Sequence, residues 1–262
     1  MRATWRVVGQ TFAHGVAEVR ATFTARVWFS AWALRMVAQV VFFALIGRMV
    51  GQAQDVRYLL VGNVVVLAAV EAVGVINSTV AERHQGTLIL LAVSPTSVAT
   101  VYLARGLQWV CTGVVASTAA LLALPSLLGV DLPWSRLPLV VPMIVLTGLS
   151  SYAYGCLLST LILHNVHLQW LVLNVAYLIL MAFAGVNVPA SYWPEPLAGA
   201  THLLPVTNGL LAVRAWLDGA TGDVLVHLVA ECAVGSGWFL AALLAHRAFL
   251  RRSRADGSLD FV

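Results

Sequence analysis

The sequence predicts an all-α membrane protein with six transmembrane helices, on three observations. Hydrophobic residues make up 60% of the 262, and only 10% are Asp, Glu, Lys or Arg, against ~25% charged residues in an ordinary soluble domain. The apolar residues gather into six stretches, each near the ~20 residues that one helix needs to cross the hydrocarbon core. The basic residues lie scattered near the ends of those stretches, so the net charge of +4 forms no basic domain for nucleic acid.

Residues 3–24 come first and are not a signal peptide, because Gln10, His14, Glu18 and Arg20 interrupt any apolar core. Trp5, Val8, Phe12, Val16, Val19 and Phe23 recur every three or four positions, which is one stripe of a helix. The expectation is an amphipathic helix lying in the cytosolic interface; a soluble helix packed on a partner is the alternative. The six spans are expected at about 27–46, 58–80, 99–122, 137–161, 168–186 and 224–245. No Gly/Ser-rich linker, low-complexity tract or short repeat divides the chain, so residues 1–262 read as a single transmembrane domain.

Between the second and third spans, residues 81–97 read AERHQGTLILLAVSPTS. Glu82, Arg83, His84 and Gln85 are too polar for lipid, so the chain leaves the membrane there. The apolar run of Leu88, Ile89, Leu90, Leu91 and Val93 is too short to cross. It suits a surface helix stopped at Pro95, which lacks the N–H that a helix interior requires. Between the fifth and sixth spans, residues 187–222 hold Pro189, Pro194, Pro196 and Pro205 among several glycines. A mildly apolar piece within them is too broken to cross as one helix. The expectation is two short re-entrant helices dipping in from the outer face and broken near Pro205, with a loop that stays outside as the alternative.

Orientation follows from arginine placement. With both termini inside, Arg2, Arg6, Arg20, Arg26, Arg83, Arg105, Arg247, Arg251, Arg252 and Arg254 are cytosolic, while only Arg48, Arg57, Arg136 and Arg214 are outside. Residues 81–97 then face the cytosol. The chain has no lysine. A phosphate-binding loop needs one to reach its nucleotide, so any ATPase that powers this protein is a separate polypeptide.

The pattern Glu82, Arg83, Gly86, Thr87, Leu88, Leu91, Ser94, Pro95 and Ser97 resembles the cytosolic connecting segment of ABC type-2 transporter permeases. V-P-x-x-Y-W-P from Val188, then L-P-V-T-N-G from Leu204, then Arg214 and Gly219, resembles the region before their last span. The resemblance implies that residues 81–97 form a coupling helix docked on an ATPase subunit. It also implies a dimer of six-span subunits, alike or homologous, with two ATPase copies in a bacterial plasma membrane. ATP and Mg would be bound by the partner and no cofactor by this chain. The substrate implied is hydrophobic or amphipathic: a drug or antibiotic, a lipid or a lipid-linked glycan.

Charges inside the spans are the other candidates. Arg35 and Glu71 both lie on the order of 12–14 Å from the expected cytosolic boundary, at ~1.5 Å per helical residue. Opposite charges at one depth can pair, either as part of the translocation path or as a brace between two spans. Glu231, deep in the sixth span with His227 one turn away, faces the interior or the dipping helices, where Arg214 could meet it. Glu71 and Glu231 could instead serve an ion- or proton-coupled secondary transporter, which predicts inverted repeats that are not evident.

His164 and His167 have no acidic or thiol neighbour and read as a polar loop rather than a metal site. Cys111, Cys156 and Cys232 match no disulfide frame and read as small buried side chains. No catalytic constellation appears: no H-E-x-x-H, no G-x-S-x-G and no close carboxylate pair.

Overall fold

The computed structural model describes residues 9–13, 15–17, 34–50, 53–84, 104, 106–163 and 165–256. Every regular element among them is helical. That is the outcome required of a chain this apolar, since a helix satisfies its own backbone groups where water is absent. The main helices are α1 (Leu34–Val50), α2 (Ala53–Val73), α3 (Val75–His84), α4 (Leu107–Leu128) and α5 (Leu137–Ile162). They continue with α6 (Gln169–Phe183), α7 (Glu195–Thr201), α8 (Thr207–Asp218) and α9 (Thr221–Asp256).

Five stretches are long and apolar enough to cross a membrane: Asp55–Arg83, Leu107–Leu128, Trp134–Ile162, Val166–Phe183 and Thr221–Arg252. They coincide with the second to sixth expected spans. In α1 the apolar stretch Val37–Met49 is shorter, and residues 27–33, where the first span is expected to begin, lie outside the described residues. Of the expected N-terminal helix, residues 9–13 and 15–17 are described and helical. Of the expected coupling helix only residues 81–84 are described, as the end of α3; Gly86, Thr87, Leu88, Leu91, Ser94 and Pro95 lie outside.

Two boundaries move. The third span runs on to Leu128 rather than ending near residue 122, because Pro125 sits inside the helix and the stop is Gly129. Gly129 adopts φ 63°, and the Gly129 and Val130 N–H groups close the last turn on Ser126 O and Pro125 O. The sixth span continues to Asp256. At ~1.5 Å per residue such a helix is about 54 Å long, well beyond the ~30 Å hydrocarbon core.

The rod formed by α2 and α3 is the axis of the fold. In its most apolar stretch 94% of the residues are buried, against 17% in α6 and 11% in α9, so those two helices form the outer wall. Around the axis stand α1, α4 and α5, and α9 packs on α5 and α8. Small residues set the close approaches. A Cβ on Gly113 of α4 would come within 2.8 Å of Ala68 O, and one on Gly155 of α5 within 3.0 Å of Val73 Cα. Ser117 Oγ donates to Val64 O at 2.7 Å, a hydrogen bond between α4 and α2.

The axis breaks at Gly74, where the Gly74 N–H turns to Glu71 O at 2.9 Å. A Cβ there would stand 2.9 Å from the Trp109 ring. Cys156 is buried as expected, but Cys111 and Cys232 are exposed on the outer sides of α4 and α9. Their helices turn those faces away from the axis.

Two short helices, α7 and α8, stand between the fifth and sixth spans and are separated around Pro205. Two short helices are expected there and two are present. Of the two, α8 is built into the fold: Leu210, Ala212 and Val213 are fully buried.

Candidate functional site

A cavity of about 760 Å³ lies between α1 and α6, with α2, α3 and Trp109 of α4 behind it. Four positions of the axis line it: Val70, Glu71, Gly74 and Asn77. Their spacing of three and four residues puts them on one face of the rod. The α1 wall supplies Gln39, Phe42 and Phe43, and the α6 wall Trp170, Leu173, Asn174 and Tyr177. The lining therefore combines aromatic faces with amides and one carboxylate, the chemistry of a site for an amphipathic molecule.

Glu71 is 3% exposed and belongs to the wall that α2 gives this cavity. Trp109 is fixed beside it by donating Nε1–H to Ser78 Oγ at 2.8 Å. At the His84 end, Gln169 Nε2 donates to Asn77 Oδ1 at 2.6 Å and joins α6 to α3. Asn174 donates to Trp170 O in its own helix at 2.7 Å and lines the cavity. Arg35 lies in α1, four residues before Gln39; its side chain, and so the expected pair with Glu71, is outside the described residues. Glu82 is buried at the end of α3, and Arg83 follows it half-buried.

Glu231 and Arg214 do not meet, and each belongs to a separate construction around α8. The Glu231 carboxylate is fully buried and accepts the Val206 N–H at 3.1 Å and the Gly209 N–H at 3.0 Å. It thus caps the N-terminus of α8, where unpaired N–H groups and the helix dipole favour a negative charge. That role accounts for a carboxylate inside a span without an ion or proton site. Gly209 permits the approach, since a Cβ there would meet Thr147 Oγ1.

The Arg214 guanidinium turns the other way. It donates to Gly185 O at 2.9 Å, Tyr58 O at 3.1 Å and Val186 O at 3.3 Å, and lies 3.4 Å from the centre of the Tyr58 ring. Burial lowers its pKa to about 10, partly offset by Tyr58 and Asp218. It remains charged at neutral pH.

The C-terminal end of α8 is held by two further arginines. Arg136 Nη1 donates to Trp216 O at 3.0 Å and Leu217 O at 3.3 Å, while Trp216 Nε1 returns a bond to Arg136 O at 2.8 Å. Arg57 pairs with Asp218 at 2.8 Å. Cations sit at the negative end of the helix and an anion at the positive end.

The sequence reading missed a chain of amides. Gln39 Nε2 lies 3.4 Å from Asn63 Oδ1, and Asn63 Nδ2 donates to Asn187 Oδ1 at 2.9 Å. The available signal was Asn63 itself, an amide set among Leu59, Leu60, Val61, Val64, Val65 and Val66. His167 is exposed in a short turn and His164 lies outside the described residues. Among the described residues, no group of three His, Cys, Asp or Glu could hold a metal ion.

The protein-family model described as ABC-2 family transporter protein matches residues 48–244. The match runs from the last turn of α1 through most of α9 and takes in the cavity walls supplied by α2, α3, α4 and α6. No curated protein matches this chain.

Proposed function

Because this chain belongs to the ABC-2 family of transporter proteins, and is thereby a membrane permease component of an ABC transporter, we propose that it exports a hydrophobic or amphipathic substrate through the cavity between α1, α2 and α6. The observation that carries this reading is the cavity's composition: aromatic side chains, three amides and Glu71 facing one space within an otherwise apolar bundle. Such a lining can hold an apolar body and still satisfy a polar group. The apolar faces beside it, with Phe42 and Leu45 on α1 and Trp170, Leu171 and Val175 on α6, are exposed in this single chain. A second permease subunit, the same or homologous, would cover them and enclose the path.

In the proposed assembly the chain has six spans with both termini cytosolic, in a bacterial plasma membrane. Residues 3–24 lie along the inner interface, and α7 and α8 enter from outside. Two copies of a separate ATPase subunit bind ATP and Mg, and this chain carries no catalytic site. The segment from Glu82 to Pro95 docks on the ATPase, and its movement passes to the axis through Glu82, Arg83 and His84, the last residues of α3. A proton-coupled transporter is less well supported, because Glu231 is already occupied as a helix cap.

The test is purification of the tagged permease in detergent from cells that also express its neighbouring genes. A phosphate-loop ATPase should co-purify and hydrolyse ATP. Glu82→Ala or Gly86→Pro should lower its recovery at least severalfold while leaving the permease in the membrane. A permease that purifies alone would overturn the coupling role of residues 81–97.

A further inference from the structure

The cavity stops short of the Tyr58 end of the axis, and a connected set of hydrogen bonds lies across that end. Asn63 is fully buried, five residues along α2 from Tyr58. Its amide links Gln39 of α1 at 3.4 Å to Asn187 at 2.9 Å, just beyond the end of α6. Asn187 Nδ2 in turn reaches Met181 O at 3.5 Å.

The backbone between α6 and Asn187 lies flat on α2. Gly185 O accepts from Tyr58 Oη at 2.7 Å and from Arg214 Nη1 at 2.9 Å. Val186 O sits against Gly62, where a Cβ would come within 2.4 Å of it. Gly185 takes φ 76°, a turn that other residues rarely adopt, and so directs the chain across the bundle.

We propose that residues 184–187, clasped by the amide chain Gln39–Asn63–Asn187 and by Arg214, form the outer closure of the transport path. This rests on the reading of the α1–α2–α6 cavity as that path. The amide chain ties together the elements that flank the cavity, α1, α2 and the end of α6, so α1 and α6 cannot part at this end while it is intact. Its chemistry suits a closure that must open repeatedly. Amides are donors and acceptors at once, so each can exchange its partner for water without exposing a net charge. A buried ion pair at the same place would be far harder to separate. Several modest bonds released together give two discrete states rather than a gradual loosening.

Accessibility of a reporter thiol tests this without knowledge of the substrate. In membrane vesicles holding the permease and its ATPase, Cys111, Cys156 and Cys232 are replaced by alanine, and Val70→Cys is introduced in the cavity wall. A charged, membrane-impermeant thiol reagent should label the reporter readily from the cytosolic side and only slowly from outside. Asn187→Ala, at a half-buried position outside the helices, should raise the outside rate about tenfold, the scale of one lost buried hydrogen bond, and leave the inside rate unchanged.

Asn63→Leu, which removes the central amide but keeps a side chain of similar size, should do the same. Inside labelling that persists with no gain from outside in either variant overturns the closure and leaves the path reading standing. A reporter that neither side can reach in the parent overturns the path reading, and the closure with it.

Discussion

Val206 is fully buried and holds a backbone φ of 87°, which is strained for a β-branched residue. Hydrogen bonds to one carboxylate sustain the strain. The Val206 N–H is fixed on one oxygen of Glu231, and the Gly209 N–H, three residues further along, takes the other. Replacing Val206 by alanine removes its two buried γ-methyl groups, and replacing it by glycine removes the β-carbon as well, but only glycine is at ease at positive φ. Val206→Gly is therefore expected to be the more stable of the two by about 1 kcal/mol, read as the difference in thermal unfolding of the purified protein. Equal unfolding temperatures would show that the conformation carries no strain. Glu231 was recognisable in the sequence as a charge that must find partners inside a span. That those partners are backbone N–H groups was not, because nothing local marks which helix terminus a side chain will face.

At the scale of elements, α8 owes its position to charges contributed by its neighbours: Glu231 from α9 at one end, Arg136 and Arg57 at the other. The short helices at α7 and α8 were legible from the proline spacing, and the break falls near Pro205. The contacts of α8 were not, since nothing local marks which neighbours will hold its two ends; its seven-residue neighbour α7 stays mostly exposed. The contact of residues 184–187 with α2 depends on Gly62. Gly62→Ala would drive a methyl group into Val186 O and against the Arg214 guanidinium. The expected cost is about 1–3 kcal/mol, the range for overpacking a close-fitted contact, seen as a lower unfolding temperature. An unchanged temperature would mean that the segment yields freely.

For the whole molecule, the second to sixth spans were legible because a bilayer-length apolar helix leaves a strong compositional trace. The cavity was only partly so. Glu71 stood out as a charge among Val and Ala, whereas Gln39, Asn77 and Asn174 acquire meaning only when α1, α3 and α6 surround one space. If Glu71 serves the path rather than bracing the bundle, Glu71→Gln should leave the permease folded and bound to its ATPase while abolishing transport. Loss of the folded protein instead would identify a brace.

The four arginines at the Tyr58 end have a consequence for the environment in which the protein can work. Arg48 donates to Leu128 O, Arg136 to Trp216 O and Leu217 O, and Arg214 to Gly185 O, Val186 O and Tyr58 O. Of these four, Arg57 alone relies on a carboxylate, that of Asp218. Peptide carbonyls carry no net charge, so a hydrogen bond to one is screened by salt far less than an exposed ion pair. If this end faces outward, a rise in external salt would weaken the Arg57–Asp218 pair and leave the carbonyl joints fastened. Such a face is in this sense built to be indifferent to ionic strength.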